Sequence, residues 1–366
     1  MTSAQLEQNL RLCAGATDFY IACRMREKTG GNNWSAALCV AVVMVARTGA
    51  AAEGGLQVGI AERYPGDVGI ARDRDVVLVE NFDARSVDEI AARWESVQRR
   101  EIMSVSADVP PGSGDARSLL MTHVGGQGNG GHLYQRLPEG LEKMHVRFYV
   151  KFDRDCRPIH HFFHVGGYNP PTAWPQGGAG VRPKGDRRFT VGIEPHGKSW
   201  AWDYYAYWSE MGGSPPRGQT WGNSFIRDPK NKVVRDRWIC MELMMKLNDV
   251  GDRNGEMALW IDGRQVSHLG KGFPKGKWNF DKFIPGAGGE GQRWSDGRGG
   301  PVRLQVPEGG APFEGFRWRE DERQKLNFIW VLLYITKAAS GHESRVWFDN
   351  IVVARDYIGP MKAMSR

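Results

Sequence analysis

Hydrophobic and polar side chains alternate along several stretches of the chain. Residues 145–152 alternate without error, and residues 238–248 repeat the pattern with their charged side chains on one face. A two-residue period places successive side chains on opposite faces of a strand, so one face is buried and the other is polar. Further strands are predicted at residues 256–262, 326–336 and 345–354.

These patterns predict an all-β fold. Many strands separated by Gly, Asp and Pro turns favour an antiparallel β-sandwich of the jelly-roll type, and the chain has no fixed-period repeat of the kind that indicates a propeller or solenoid. One amphipathic segment, residues 85–100, predicts a short N-terminal helix. Residues 269–316 are rich in Gly, Pro and charge, which predicts a long loop that forms one wall of the binding site.

The N-terminal region predicts an export signal. An apolar run at residues 34–46 follows three basic residues and precedes three alanines at 50–52, which is the layout of a cleaved signal peptide. Residues 1–52 are therefore the predicted signal, with Met25 as an alternative start and a buried helix as the alternative interpretation. A linker at 53–77, a single domain at 78–360 and a tail at 361–366 complete the predicted organisation, and the mature protein is expected outside the cell or in the periplasm.

Charge and cysteine content depend on this cleavage. The whole chain of 366 residues has a formal net charge of +7, and loss of residues 1–52 leaves +5. This mild excess favours an anionic glycan, and no nucleic-acid-binding motif accompanies it. Cys156 and Cys240 would remain, so a disulfide between them is an open possibility. No CxxC pair occurs, which argues against a structural zinc site with thiolate ligands.

An aromatic segment is the first candidate for sugar binding. Six of the nine residues at 200–208 are Trp or Tyr, and pyranose rings stack on flat aromatic faces. Alternation separates them into two faces. The predicted sugar platform contains Trp202, Tyr204 and Trp208, extended by Trp221 and Asn223. Tyr205 and Tyr207 lie on the opposite face and offer phenol groups for catalysis. The alternative is an ordinary aromatic strand of the core.

A histidine cluster is the second candidate. His160, His161 and His164 fall within five residues. An imidazole suits the removal of the proton next to a uronate carboxylate, or the neutralisation of that carboxylate, so His161 and His164 are candidate catalytic residues. Strand alternation would place these two on opposite faces unless a bulge intervenes. Metal binding, or core and solvated histidines, are the alternatives.

Polar side chains on two predicted strands are the third candidate. Arg147 and Lys246 are candidate catalytic residues, and Tyr149 and Glu242 are candidate substrate ligands. Together they would form a cationic groove on a concave sheet, but they would be solvated charges on a convex one. Arg187, in a basic cluster around a Gly-Asp turn, is either a clamp for a substrate carboxylate or part of a solvated loop.

Three segments resemble one structural superfamily. HVRFYVKFD at 145–153, RWICMELMMKLNDVGDRNGEMALWIDGRQV at 237–266 and RVWFDNIVVARDYIGP at 345–360 resemble strands of the concanavalin A-like lectins and glucanases, in particular the jelly-roll polysaccharide lyases. The resemblance covers residues 78–360. The chain lacks the Glu-x-Asp-x-x-Glu strand of the glucanases and has none of the three alginate-lyase strand motifs intact, so it resembles alginate and glucuronan lyases in general layout only.

The resemblance also implies a structural calcium ion. In resembling domains the first and last strands meet, and oxygen ligands there often bind Ca²⁺. Glu80 and Asp349 are the candidate ligands, with an ordinary salt-bridged or solvated pair as the alternative. No organic cofactor is expected.

The function predicted from the sequence is an exported polysaccharide lyase that cleaves an acidic polysaccharide by β-elimination. One alternative is a glycoside hydrolase that uses Glu194, Glu210 or Glu242, and another is a carbohydrate-binding module without catalysis. An anionic polysaccharide is the expected partner, whereas nucleic acid and stable membrane insertion are not. The protein is expected to be a monomer.

Overall fold

A computed structural model describes residues 57–175, 177–196, 200–214, 219–294 and 301–364. The predicted signal peptide and the first residues of the predicted linker lie outside these ranges. Among the residues that are described, no helix is long and apolar enough to span a membrane.

Two large antiparallel sheets form the body of the described chain. The eight-stranded sheet contains β1 (Val76–Glu80), β3 (Met103–Ser106), β4 (Ser118–Val124), β6 (Lys143–Phe152), β10 (Trp238–Lys246), β11 (Glu256–Ile261), β12 (Arg264–Leu269) and β19 (Glu343–Ala354). Its strand order is β12-β11-β10-β6-β19-β4-β3, and β1 pairs with β19. The six-stranded sheet contains β2 (Ser96–Gln98), β5 (Gly130–Leu141), β7 (His161–Tyr168), β8 (Arg188–His196), β9 (Ala201–Tyr207) and β18 (Leu326–Tyr334), in the order β2-β5-β18-β7-β8-β9.

The core lies between these sheets. Val146, Phe148 and Val150 of β6 are fully buried, as their alternation predicts. The ring of Phe148 stacks on Phe163 of β7 with the centroids 4.1 Å apart, so the apolar faces of the two sheets are in direct contact. This arrangement confirms the predicted all-β sandwich fold of the jelly-roll type.

The predicted N-terminal helix is present but short. The helix α1 spans Val87–Ala91, and the hydroxyl of Ser86 accepts a hydrogen bond from the Glu89 amide at its start. The segment predicted at 85–100 does not continue as a helix, because the Trp94 indole donates to Glu80 on β1 and the chain then enters β2. Single 3-10 turns lie at Ile60–Arg63, Pro65–Asp67, Ile70–Arg72 and Arg100–Ile102.

The prediction of a long loop at 269–316 is wrong. In the described part of this segment, a third sheet contains β13 (Lys275–Asn279), β14 (Lys282–Pro285), β15 (Gly289–Arg293), β16 (Val302–Val306) and β17 (Ala311–Pro312). Trp278 and Phe313 are buried and contact the ring of Phe225. The scattered aromatic residues are therefore sufficient to anchor a small sheet despite the many glycines.

The outer face of the eight-stranded sheet is covered by both ends of the described chain. The Arg147 guanidinium is completely buried and donates to Asp67 at 2.5 Å. On the C-terminal side, Glu242 accepts hydrogen bonds from the amides of Ile358 and Gly359. The predicted cationic groove is therefore absent here. Arg147 and Glu242 instead hold the covering segments, one of which lies within the predicted linker at 53–77.

The two cysteines of the domain do not form the disulfide that the sequence left open. Cys156 and Cys240 are both buried free thiols. Burial raises the pKa of both, that of Cys240 to about 12, so each thiol stays protonated and unreactive at neutral pH.

Replacement of Asp67 by Asn tests the burial of Arg147. The substitution leaves a buried guanidinium without its counter-charge, so we expect the free energy of unfolding to fall by about 3–5 kcal/mol, measured by urea denaturation. Glu62→Gln is the matched control, since Glu62 and its partner Lys362 lie on the same covering segments but are both about half exposed. Its expected cost is below about 1 kcal/mol. Equal losses in the two variants would contradict the assigned burial.

Candidate functional site

A cavity of about 750 Å³ lies on the face of the six-stranded sheet that points away from the core. Side chains of β7, β8, β9 and β18 form its floor, and residues 177–179 with Trp221 form part of its wall. No residue of the third sheet lines it in the described structure, so the predicted role of residues 269–316 as its wall is also wrong.

Strand register places the floor residues in one row. Trp330 of β18 pairs with His164 of β7, His164 pairs with Gly192 of β8, and Gly192 pairs with Tyr205 of β9. Side chains at directly paired positions point to the same face of a sheet. A Cβ atom at Gly192 would lie 2.6 Å from His164 Nε2, so the absence of a side chain there is required for the imidazole to occupy this position.

Two histidines converge on one carboxylate. His161 Nδ1 lies 2.7 Å and His164 Nε2 lies 2.9 Å from the same oxygen, Oε1 of Glu194. An ionised carboxylate only accepts hydrogen bonds, so each imidazole donates an N–H to it. This fixes the tautomer of a neutral His161, which carries its proton on Nδ1 and leaves Nε2 as a base.

A register irregularity allows the two histidines to share a face. Strand β7 begins at His161, and its pairing with β18 shifts register between Val331 and Tyr334. Regular alternation would have placed His161 on the opposite face from His164. The sequence left open an irregularity that would bring the two histidines to one face, and this irregularity occurs where β7 begins.

Burial and hydrogen bonding set the charges of this triad. Burial alone would raise the pKa of Glu194, but the hydrogen bonds from His161 and His164 outweigh it, and the net pKa is lowered. Burial lowers the pKa of His164, which Glu194 only partly offsets. At neutral pH Glu194 is thus a carboxylate and His164 a neutral imidazole.

The same three side chains could also hold a metal ion. Among the described His, Cys, Asp and Glu residues they form a group whose ligand atoms all lie within 4.8 Å of one another. Ligands of one tetrahedral zinc at about 2.0–2.1 Å would be roughly 3.3 Å apart. The observed separations of 2.7 and 2.9 Å are those of hydrogen bonds, so the triad in this arrangement holds protons.

Two tyrosines complete the reactive side of the cavity. The Tyr205 hydroxyl lies 3.4 Å from that of Tyr207, and the rings of Tyr205 and His161 have centroids 5.2 Å apart. Burial, and then the contact with Tyr207, raise the pKa of Tyr205, so its phenol is protonated at neutral pH. The amide of Gly180 donates to the Tyr207 hydroxyl, which fixes that ring.

Arg188 supplies positive charge to the cavity. Its guanidinium donates to the carbonyl oxygens of Gly178 and Val181 and lies 5.5 Å from the centre of the Tyr207 ring. Burial lowers its pKa, yet within the described residues it has no carboxylate partner. Lys337 is exposed and also lines the cavity. Glu194 is the acidic residue of the described lining, and its carboxylate accepts hydrogen bonds from the two imidazoles.

The predicted sugar platform is wrong for three of its members. Trp202, Tyr204 and Trp208 are at most 2% exposed and belong to the core, so the alternative of an aromatic core strand describes this face of β9. Asn223 is also buried, where it accepts hydrogen bonds from the Trp208 indole and the Gly212 amide. Trp221 is 41% exposed and lines the cavity.

The polar candidates on the other sheet are remote from the cavity lining. Arg147, Tyr149 and Glu242 lie under the covering segments of the eight-stranded sheet, with Met361 donating its amide to the Tyr149 hydroxyl. Lys246 forms an exposed ion pair with Glu256. The sequence could not reveal that these candidates lie on a different sheet. Alternation identifies the two faces of a strand but not the sheet that the strand joins. Arg187 is exposed and lies in a separate shallow depression.

The two calcium candidates differ in their surroundings. The carboxylate of Glu80 accepts hydrogen bonds from Arg93, Trp94 and the Phe82 amide, so its oxygens are already engaged. Asp349 is fully buried and its Oδ2 has no hydrogen-bond partner. Burial raises the pKa of Asp349 to about 9. The engaged oxygens of Glu80 do not fit a cation, and among the described residues neither Glu80 nor Asp349 belongs to a group of three or more His, Cys, Asp and Glu side chains spaced to hold a metal ion.

Several site residues were not predicted in their present roles. Trp330 and Gly192 were not selected as site residues. Arg188 was considered only as a member of the basic cluster around the Gly-Asp turn, and Glu194 only as a hydrolase carboxylate. The segment Gly192-Ile193-Glu194 carries one detectable signal, a carboxylate directly after the apolar residues 191–193 of a strand. Strand β18, by contrast, is almost continuously apolar, so the sequence gives no sign that Trp330 faces a cavity.

Comparisons with known proteins give a likeness in fold only. No protein-family model and no curated protein sequence matches the chain. Similar solved structures include the PL-14 alginate lyase from Aplysia kurodai, at 13% identity and a TM-score of 0.47 over 76% of this chain and 98% of that one. Another is an endo-β-1,4-glucuronan lyase from the fungus Trichoderma reesei, at 15% identity and a TM-score of 0.41 over 77% and 96%.

Replacement of Glu194 by Gln tests the electrostatics of the triad. The carboxylate favours the protonated imidazole of His164, so its loss should lower the pKa of His164 still further. The measurement is a pH titration of the imidazole ¹⁵N shifts by NMR. His123 is the internal control, because burial also lowers its pKa but its ring bonds to the Gly128 carbonyl instead. An unchanged or raised pKa at His164 would show that Glu194 is not its charged partner.

Proposed function

We propose that the protein is a polysaccharide lyase that cleaves a uronate-containing polysaccharide by β-elimination. One observation carries the proposal: His161, oriented by Glu194, faces the same cavity as the Tyr205 phenol and the Arg188 guanidinium. These groups are a base, an acid and a cation that has no carboxylate partner among the described residues, the three requirements of elimination next to a carboxylate.

His161 is assigned as the base. Its Nδ1–H is held by Glu194 at 2.7 Å, so in the neutral ring Nε2 is the basic nitrogen, and 26% of its side chain is exposed. A carboxylate that fixes one imidazole nitrogen also stabilises the imidazolium after proton transfer. His161 therefore takes the proton from the carbon next to the uronate carboxylate.

Arg188 is assigned to the substrate carboxylate. Removal of that carbon-bound proton places negative charge on the neighbouring carboxylate, and a positioned cation stabilises this charge. A partly buried guanidinium without a carboxylate partner is available for it, and Arg presents a planar fork that matches a carboxylate. Lys337 at the rim adds a second attraction for an anionic chain.

Tyr205 is assigned as the acid. Its phenol is protonated at neutral pH and therefore carries the proton that passes to the bridging oxygen as the carbon–oxygen bond breaks. The electron pair of the broken C–H bond becomes the new carbon–carbon double bond, and the departing sugar leaves with a hydroxyl group. The proton held by His161 then returns to Tyr205 through solvent.

Hydrolysis is less well supported by the same cavity. Glycosidases of the usual kind need two carboxyl groups across the bond, whereas Glu194 is the acidic residue among the described lining. Glu210 is paired with Arg253, and Glu242 lies under the C-terminal segment of the other sheet. A binding module without catalysis remains a separate outcome of the assay below.

Two further expectations accompany this proposal. A structural Ca²⁺ beside Asp349 would displace the proton that this buried carboxyl retains at neutral pH because of its raised pKa, and it would need further oxygen ligands from neighbouring groups. Export to the periplasm or beyond the cell would bring the enzyme to its polymer.

The lyase proposal is tested on a panel of polyuronates and neutral glucans. We expect cleavage of a polyuronate with new ultraviolet absorbance from the unsaturated product, undiminished by EDTA. His161→Gln and Tyr205→Phe should each lower kcat/KM by roughly 10²–10⁴-fold, because each removes a proton-transfer group. His268→Gln and Tyr357→Phe are matched controls on the other sheet and should retain activity.

Each alternative result has its own meaning. Reducing ends without the absorbance would indicate hydrolysis, and binding without cleavage of any polymer would indicate a binding module. Activity that is lost with EDTA and restored by a transition metal would assign the triad to metal binding.

Replacement of Arg188 by Gln tests carboxylate recognition. Loss of the cation should lower kcat/KM for the polyuronate by about 10²-fold or more, because the charge that it stabilises develops in the transition state. Methyl esterification of the polymer should abolish the difference between wild type and variant. A similar loss on the esterified polymer would show that Arg188 only supports the loop at residues 177–181.

A further inference from the structure

An aromatic row leads out of the cavity across the six-stranded sheet. The ring of His164 contacts Trp330 at a centroid distance of 5.4 Å, Trp330 contacts His132 at 5.6 Å, and His132 contacts Trp174 at 4.9 Å. The strands that carry His164, Trp330 and His132 are neighbours. At about 4.8 Å per strand, the row covers roughly 10 Å perpendicular to the strands.

The far end of this row is an exposed tryptophan. Trp174 is 39% exposed, and Trp221 on the opposite side of the cavity is 41% exposed, while every other large aromatic ring around the floor is less accessible. Leaving a large apolar ring in water forgoes the free energy of burying it. An exposed ring that continues a binding cavity is a common feature of ligand grooves.

The position of Trp174 is fixed by the sheet beneath it. The hydroxyl of Thr172 donates to the Trp174 carbonyl at 2.7 Å. The buried Tyr134 in turn donates its phenol hydroxyl to the Thr172 carbonyl at 2.9 Å. Tyr134 is two residues from His132 on β5 and faces the same side. The loop that carries Trp174 is therefore anchored to the aromatic row.

The row differs from the cavity in charge. Burial lowers the pKa of His132 to about 4, so its ring is neutral in the physiological range, as are Trp174 and Trp330. The cavity recognises a carboxylate through Arg188, whereas this row offers only flat faces and edges of uncharged rings. Such surfaces select the apolar face of a sugar ring and not its charge.

We propose that Trp174, His132 and Trp330 form a stacking subsite for a pyranose ring of the same glycan chain, adjacent to the reaction cavity. The substrate assignment rests on the proposed function, but the position of the subsite does not. With Trp221 on the other side, the chain is held on both sides of the bond that is cut. The enzyme would then prefer long chains and cut them internally.

Replacement of Trp174 by Ala tests the subsite. For a polyuronate polymer, kcat/KM should fall roughly 3- to 10-fold, as expected for the loss of one aromatic stacking contact. For the shortest oligouronate that is cleaved, which fills the cavity alone, the variant should match wild type. Trp174→Phe should recover part of the loss. Phe273→Ala, which removes an equally exposed ring on another part of the surface, is the control.

The outcomes separate this proposal from the lyase assignment. An equal loss on long and short substrates, or no loss on either, would overturn the subsite while the lyase assignment stands. If no polyuronate is cleaved, the same variants are compared for polymer binding by calorimetry. Weaker binding of Trp174→Ala alone would then support the subsite without the reaction. No difference in binding, or no binding by wild type, would overturn it.

Discussion

The buried carboxylate of Glu194 is the constraint on which the site depends. An ionised carboxylate that is 3% exposed must be compensated by hydrogen bonds, because transfer of an unpaired charge from water is far too costly. Two imidazoles supply them, which requires both histidines on one face of β7 and therefore a register shift where the strand begins. It also requires Gly192 beneath them. The tautomer of His161, and hence its basic nitrogen, follows from the same interaction.

The sequence predicted the sandwich well because the relevant signal is local. Alternation at residues 145–152 and 238–248 identifies strands and their buried faces without knowledge of their neighbours, and both appear in the structure. The loop predicted at 269–316 failed for the opposite reason. Its strands are only two to five residues long, too short for alternation to be a strong signal, and they are held by contacts of Trp278 and Phe313 with a ring distant in sequence.

The site was only partly predictable, because its parts come from four strands whose register no single strand reveals. His161, His164, Tyr205, Tyr207 and Trp221 were identified from chemistry and density of aromatic residues, and the structure brings them together. Trp202 and Trp208 are aromatic residues of the same kind as Trp221, but they are buried in the core whereas Trp221 is exposed. Arg147 was misplaced because its counter-ion, Asp67, is 80 residues away in the chain.

Buried charges on the two sheets differ in whether they have counter-charges. This difference distinguishes charges that stabilise the fold from charges that are available to a ligand. On the eight-stranded sheet the Arg147 guanidinium meets Asp67, and Glu242 meets His145 at 2.9 Å together with two backbone amides. These charges are closed off by the ends of the described chain. On the six-stranded sheet, the described partners of Arg188 are two backbone carbonyls and the face of the Tyr207 ring, and His161 turns one nitrogen to the cavity. A partly desolvated cation without its counter-ion is costly for the folded state. The proposed function assigns this counter-ion to the carboxylate of the substrate.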